Sequence, residues 1–123
     1  MGTILNNFTF YKKYDKQTRM DEFNRIHEKY PDRFPLIIEQ GVGEKIKIER
    51  HKYLVQADIT IGQLIYIIRK NVTPKIHEET ALFLTFNETM FSTSKTIGEI
   101  YEDYKNKEDG FLYLNFFAEK TFG

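Results

Sequence analysis

Thr60-Ile61-Gly62-Gln63-Leu64-Ile65-Tyr66-Ile67-Ile68 is the stretch that decides how this chain folds. Its first four residues form a T-x-x-Q capping box. The threonine oxygen can accept from the amide three residues on, while Gln63 reaches back to the Thr60 amide. Ile61, Leu64, Ile65 and Ile68 then recur at i, i+3, i+4 and i+7, one apolar stripe along a short helix. The same phrase returns at Thr96-Ile97-Gly98-Glu99 and opens a second helix bearing Ile97, Ile100, Tyr101 and Tyr104. Two short, one-sided helices need an apolar sheet to cover.

The flanking stretches supply it. Upstream, Phe34 to Gln40 reads as a strand, with β-branched Ile37 and Ile38 following Pro35. Gly41-Val42-Gly43 is turn punctuation, and a strand through Lys52-Tyr53-Leu54-Val55 completes a hairpin. Between the helices, Leu82 to Phe86 reads as a buried strand, and Asn87-Glu88 turns into a short strand near Phe91. After the turn at Asp109-Gly110, Phe111 to Phe117 is apolar on both faces, as the middle of a covered sheet requires. Met20 to Tyr30 carries Phe23, Ile26, His27 and Tyr30 at helical spacing and stops at Pro31. A shorter polar helix or turn precedes it near Tyr11 to Lys16. The order is helices, then β-β-α-β-β-α-β. Two hairpins joined by a crossing helix make an α+β, ubiquitin-like β-grasp with additional N-terminal helices. The expected divisions are a divergent segment 1–19 holding a short helix, a domain 20–117, and a flexible tail 118–123.

Composition narrows the function. The 123 residues are 41% hydrophobic and 29% charged, enough for one globular domain. Lys+Arg and Asp+Glu number 18 each, so no global field favours nucleic acid. Without cysteine the chain has no thiol nucleophile, thioester or Cys-ligated zinc of its own. The first residues lack a signal-peptide pattern, and Leu64 to Ile68, the longest apolar run, is far short of the ~20 residues that span a bilayer. A cytoplasmic address is expected.

Catalytic constellations are missing from the pattern. His27, His51 and His77 stand far apart in sequence with no ligand spacing, so no metal is expected. His77-Glu78-Glu79-Thr80-Ala81 has alanine where a zincin needs its second histidine. Gly41-Val42-Gly43-Glu44-Lys45 lacks the G-K-[ST] of a phosphate loop, and Ser92 and Ser94 lack a nucleophile elbow. The pairs Glu78-Glu79 and Glu102-Asp103 are sequence neighbours that do not converge on a substrate. Neither an enzyme nor a cofactor is expected.

Several stretches point one way together. Tyr30-Pro31-Asp32-Arg33-Phe34-Pro35, Lys52-Tyr53-Leu54-Val55, Asp58 to Gln63, Ile67-Ile68-Arg69-Lys70, Ile100-Tyr101-Glu102, Asp109 to Tyr113 and Thr121-Phe122-Gly123 resemble, in order and spacing, the GABARAP family of autophagy-related ubiquitin-like modifiers. The resemblance covers roughly Met20 to Gly123. It departs at Gln56, where the family usually has proline, and at Phe91-Ser92, which replaces a usual Pro-Pro. The segment before Met20 echoes the family's basic first helix only in Phe10-Tyr11-Lys12-Lys13.

The resemblance implies a protein that works by being attached. Gly123 would be activated by an E1-like enzyme, passed to an E2-like cysteine, and joined to the headgroup amine of phosphatidylethanolamine. Implied partners are those enzymes, a processing or delipidating protease, phosphatidylethanolamine membranes, and cargo receptors and adaptors with [WFY]-x-x-[LIV] motifs; autophagosome or other vesicle membranes are the implied location. The aromatic pocket for such a motif would map to Glu22, Ile26, Pro35, Leu54 and Phe111, with Lys52 at its rim. The aliphatic pocket would map to Tyr53, Val55, Ile59, Leu64 and Ile67, and Arg33 and Arg50 would form an electrostatic rim. Pattern alone would place Ile26, Leu54, Ile67 and Phe111 in the core and read Arg33, Arg50 and Lys52 as a solvated face. Two rival readings remain open: a modifier joined to substrate lysines, and an unconjugated ubiquitin-like peptide-binding domain.

Overall fold

A computed structural model describes residues 5, 7–77 and 79–119. The chain order is α1 (Thr9–Lys13), α2 (Lys16–Lys29), β1 (Phe34–Gln40), β2 (Lys47–Ile48), β3 (Lys52–Val55), α3 (Ile61–Arg69), β4 (Val72–Thr73), β5 (Leu82–Phe86), β6 (Thr89–Met90), α4 (Ile97–Tyr104) and β7 (Leu112–Ala118).

Both capping boxes form as read. Thr60 Oγ1 accepts from the Gln63 amide at 3.1 Å while Gln63 Oε1 accepts from the Thr60 amide at 2.9 Å. Thr96 and Glu99 repeat the exchange at 3.2 and 2.8 Å. The two helix starts lie side by side, linked by an antiparallel bridge between Thr60 and Thr96. Replacing Thr96 by alanine leaves the first turn of α4 without its side-chain acceptor. A loss of about 1 kcal/mol, read as a lower urea midpoint, is expected.

Five strands form one mixed sheet in the order β3-β1-β7-β5-β6. Its centre is the parallel pair β1–β7, which places Leu36 beside Leu112 and Ile38 beside Leu114. The other pairings are antiparallel, and β3 lies at one edge. Each sheet face has its own core. Leu36, Ile38, Leu112, Leu114 and Phe116 pack against α3 and α4. Ile37, Phe111 and Tyr113 pack against Phe8, Phe10 and Ile26 of the N-terminal segment. Covering on both sides is why β1 and β7 are apolar at successive positions rather than alternating.

The N-terminal region differs from the reading in register. The structure starts α2 at Lys16 because Asp15 caps it, accepting from the Thr18 amide at 2.8 Å. The apolar stripe begins only at Phe23, so periodicity could not reveal that first turn. With Asp15 used as a cap, the short first helix falls on Thr9–Lys13 rather than Tyr11 to Lys16. The division at residue 19 therefore falls inside α2. Residues 8–13 pack with the rest of the domain: Phe8 meets Tyr113 and Phe10 meets Phe111 edge-on, each at 5.2 Å. Glu39, buried at the end of β1, accepts from the Thr9 and Phe10 amides at 2.8 and 3.1 Å. The two-residue strands β2 and β4 form a separate antiparallel pair that the sequence reading did not resolve; a period of two has no length to show in two residues. At the other end β7 runs through Ala118, one residue beyond the expected end, and Gly123 lies outside the described residues.

Candidate docking site at the sheet edge

β3 has one partnered and one open side. Ile38 donates its amide to the His51 carbonyl at 2.8 Å, and antiparallel alternation then turns Tyr53 and Val55 toward β1. The main-chain groups of Lys52 and Leu54 face outward. Among the described residues no strand pairs with that side. An edge of this kind can accept an extended peptide as one more strand.

A cavity of about 360 Å³ opens on the α2 face of this edge, and it brings together all six residues assigned to the aromatic pocket: Glu22, Ile26, Pro35, Lys52, Leu54 and Phe111. Pro35 and Leu54 are cross-strand partners and so share that face. Phe111 has no exposed surface and forms the closed floor. The mouth is ionic: Glu22 Oε2 lies 2.8 Å from both Lys52 Nζ and Arg25 Nη2. Hydrogen bonds from Arg25 and then Lys52 hold the Glu22 carboxyl below its ordinary pKa. Lys52 is therefore already paired with a carboxylate. Leu36 and Tyr53 also line this cavity, and Arg25, Lys29 and Tyr30 add a wall from α2 and its end that was not anticipated. Their positions on the Glu22–Ile26 side of a 3.6-period helix were the available signal.

A second cavity, about 930 Å³, lies toward α3 on the other face. Of the aliphatic assignments, Val55, Ile59 and Ile67 line it. Leu64 and Tyr53 do not: Leu64 is fully buried, and Tyr53 belongs to the core with its ring facing the sheet's α3 side. Burial pushes the Tyr53 hydroxyl up to about 12. Tyr66, 62% exposed and covered at 4.5 Å by the Lys70 ammonium, supplies a wall that the reading overlooked. Helical spacing places Tyr66 and Ile67 beside Gln63 on the outward side of α3. The charged rim divides. Arg33 lines the larger cavity, and its Nε is buried without a partner among the described residues. Arg50 lines neither cavity and sits 6.0 Å over the Tyr53 ring.

A mixed sheet with β3 at its edge and a helix crossing between two hairpins defines a ubiquitin-like protein. The known proteins agree. A family model described as "Autophagy protein Atg8 ubiquitin like" matches residues 18–123. Autophagy-related protein 8a of Arabidopsis thaliana is 44% identical over 108 residues, covering 87% of this chain and 86% of that protein. Autophagy-related protein 8 of Mycosarcoma maydis is 41% identical over 115 residues, covering 93% and 95%. The crystal structure of Trypanosoma brucei ATG8 superposes with a TM-score of 0.85 at 33% identity, covering 95% of this chain and 99% of that one. The chain belongs to the Atg8 family of ubiquitin-like autophagy proteins, which are modifiers rather than enzymes.

Proposed function

We propose that the chain is a GABARAP-type member of this family with two linked roles: it docks [WFY]-x-x-[LIV] peptides of cargo receptors and adaptors at β3, and it is carried on membranes through an amide between Gly123 and phosphatidylethanolamine. The docking role rests on the two cavities lying on opposite faces of one edge strand. In an added strand, residues three apart have opposite parity, so their side chains leave on opposite faces. A spacing of two would put both anchors on one side. The aromatic cavity lies beside Lys52 and Leu54 and the aliphatic one beyond Val55. A peptide whose aromatic residue comes first therefore runs parallel to β3.

Burying each large apolar anchor contributes ~1.5–3 kcal/mol, and two anchors with strand hydrogen bonds, less ordering costs, give roughly micromolar affinity. The test is calorimetry with a Trp-x-x-Leu peptide. Leu54 lines both cavities and Ile67 the larger one; Leu54→Ala combined with Ile67→Ala removes half-exposed wall from both and should weaken binding about a hundredfold with the fold retained. Unaltered affinity would refute the site.

Conjugation supplies what the domain lacks. No described helix is long and apolar enough to cross a membrane. Each buried acyl CH₂ is worth about 0.8 kcal/mol, and two chains anchor stably where one does so marginally. With no cysteine in the sequence, both thioesters sit on the E1-like and E2-like partners. In the last step the lipid amine attacks the thioester carbonyl, the amide forms, and the partner's cysteine leaves as thiolate. A protease that cuts at Gly123 would expose or release the modifier.

A further inference from the structure

We infer that Glu44 is a positioning residue for the C-terminal tail, its carboxylate clasping β7 at the point where the chain leaves the sheet. The inference rests on the reading of Gly123 as the attachment point. β1 pairs with β7 only as far as Gln40 beside Phe116. One further main-chain bond follows, from the Gly41 amide to the Phe116 carbonyl at 2.9 Å. On that side of β7 the next donor is the Ala118 amide, and β1 has no residue left to accept it. Glu44 Oε1 takes the bond at 2.8 Å.

The loop is shaped to deliver that carboxylate. Glu44 donates its amide to the Gly41 carbonyl at 3.0 Å, closing a tight turn. Its Oε2 accepts from the Ile46 amide at 3.1 Å, so one carboxylate ties the loop to the strand. Gly41 passes flush against the Phe117 ring: a β-carbon there would stand 1.9 Å from the ring's Cζ, so any larger residue would displace that ring. On the opposite side Glu119 donates its amide to Ala81 at 2.8 Å. The last described residues are gripped on both flanks, although β1 has already ended.

The consequence is a set length of chain between the grip and the reacting carboxylate. Lys120 to Gly123 is four residues, which span at most ~14 Å when fully extended. Opening the Glu44 clasp leaves the end of β7 held only on its β5 side, where Ala118 pairs with Leu82 and Glu119 donates to Ala81. That end then frays more readily, and reordering it before Gly123 reaches a partner's active site costs entropy at the transfer step rather than in recognition of the domain.

The test uses the full chain, its E1-like and E2-like enzymes, ATP and liposomes of equal parts phosphatidylethanolamine and phosphatidylcholine. In Glu44→Ala, hydrogen exchange of the Ala118 amide should speed up about tenfold, the loss of one charge-assisted bond. The rate constant for lipid transfer should fall about tenfold, with little change in the concentration of chain giving half-maximal rate. Glu44→Gln keeps an acceptor oxygen and should restore both. An unaltered exchange rate in Glu44→Ala, unaltered transfer despite faster exchange, or a glutamine variant that behaves like alanine would each overturn the clasp. A wild-type chain that is never charged would instead defeat the conjugation reading, and the clasp's role with it.

Discussion

Chain recovered from cells induced for autophagy is expected to show, by intact mass, a gain equal to one phosphatidylethanolamine less water. A version ending at Phe122 should show none. The loss is all-or-none because the proposed amide is made at the Gly123 carboxylate alone. Glycine suits that position because it has no β-carbon to crowd the attacking amine. A ladder of protein-sized adducts would favour conjugation to lysines instead. Equal, unmodified masses would leave a peptide-docking domain whose tail needs another account.

Replacing Asp109 by alanine should be the most damaging single substitution for stability. Asp109 is 2% exposed, and its Oδ2 accepts from Arg19 Nε at 2.8 Å and from the Tyr113 hydroxyl at 2.6 Å. Its Oδ1 accepts from the Phe111 amide at 2.9 Å. Arg19, equally enclosed, donates to the Tyr14 carbonyl at 2.8 Å and lies 4.0 Å over the Tyr11 ring. Burial disfavours the charge on Arg19, but the Asp109 bond and neighbouring charges outweigh it and raise its pKa. Removing the carboxylate strands a guanidinium inside the fold, at a cost of about 3–5 kcal/mol. That is a large share of the ~5–15 kcal/mol that holds a small domain together. Urea unfolding would measure it. Arg19→Met with Asp109→Leu should lose less than Asp109→Ala alone, since no charge is then left unpaired. A midpoint unmoved by Asp109→Ala would show that the pair is not holding the fold.

The same pair has a functional consequence. It ties the start of α2 to the turn before Phe111, and α2 and Phe111 are the wall and floor of the cavity proposed to take the aromatic anchor. Peptide affinity should therefore fall with stability in Asp109→Ala.

What could be read in advance follows the range of the forces concerned. The capping boxes need four residues and one helical turn, and both formed where the sequence puts them. β1 has the expected bounds, and the short strand after Asn87-Glu88 lies at Thr89–Met90. The N-terminal segment was harder. Its anchors Phe8 and Phe10 and its partner Glu39 are about thirty positions apart, so neither stretch signals the other. The residues assigned to the aromatic pocket lie together around one cavity because the resemblance carried the tertiary arrangement with it, whereas Leu64 and Tyr53 do not line the larger cavity. Arg19 and Asp109 meet across ninety positions, and nothing in either neighbourhood marks them as partners.

By itself, then, the sequence determined the two capping boxes, the longer strands and helices, their order and the wider family. It also settled that any thioester must sit on a partner. Tertiary structure decided which apolar residues became core and which became groove. Leu64 and Ile67 lie on one helix within a turn of each other, equally apolar. Leu64 faces the sheet and is sealed, while Ile67 lies where the sheet stops at β3 and stays open. Helical periodicity tells which side of α3 is greasy, but only the position of the last strand tells where that side runs out of protein to cover it.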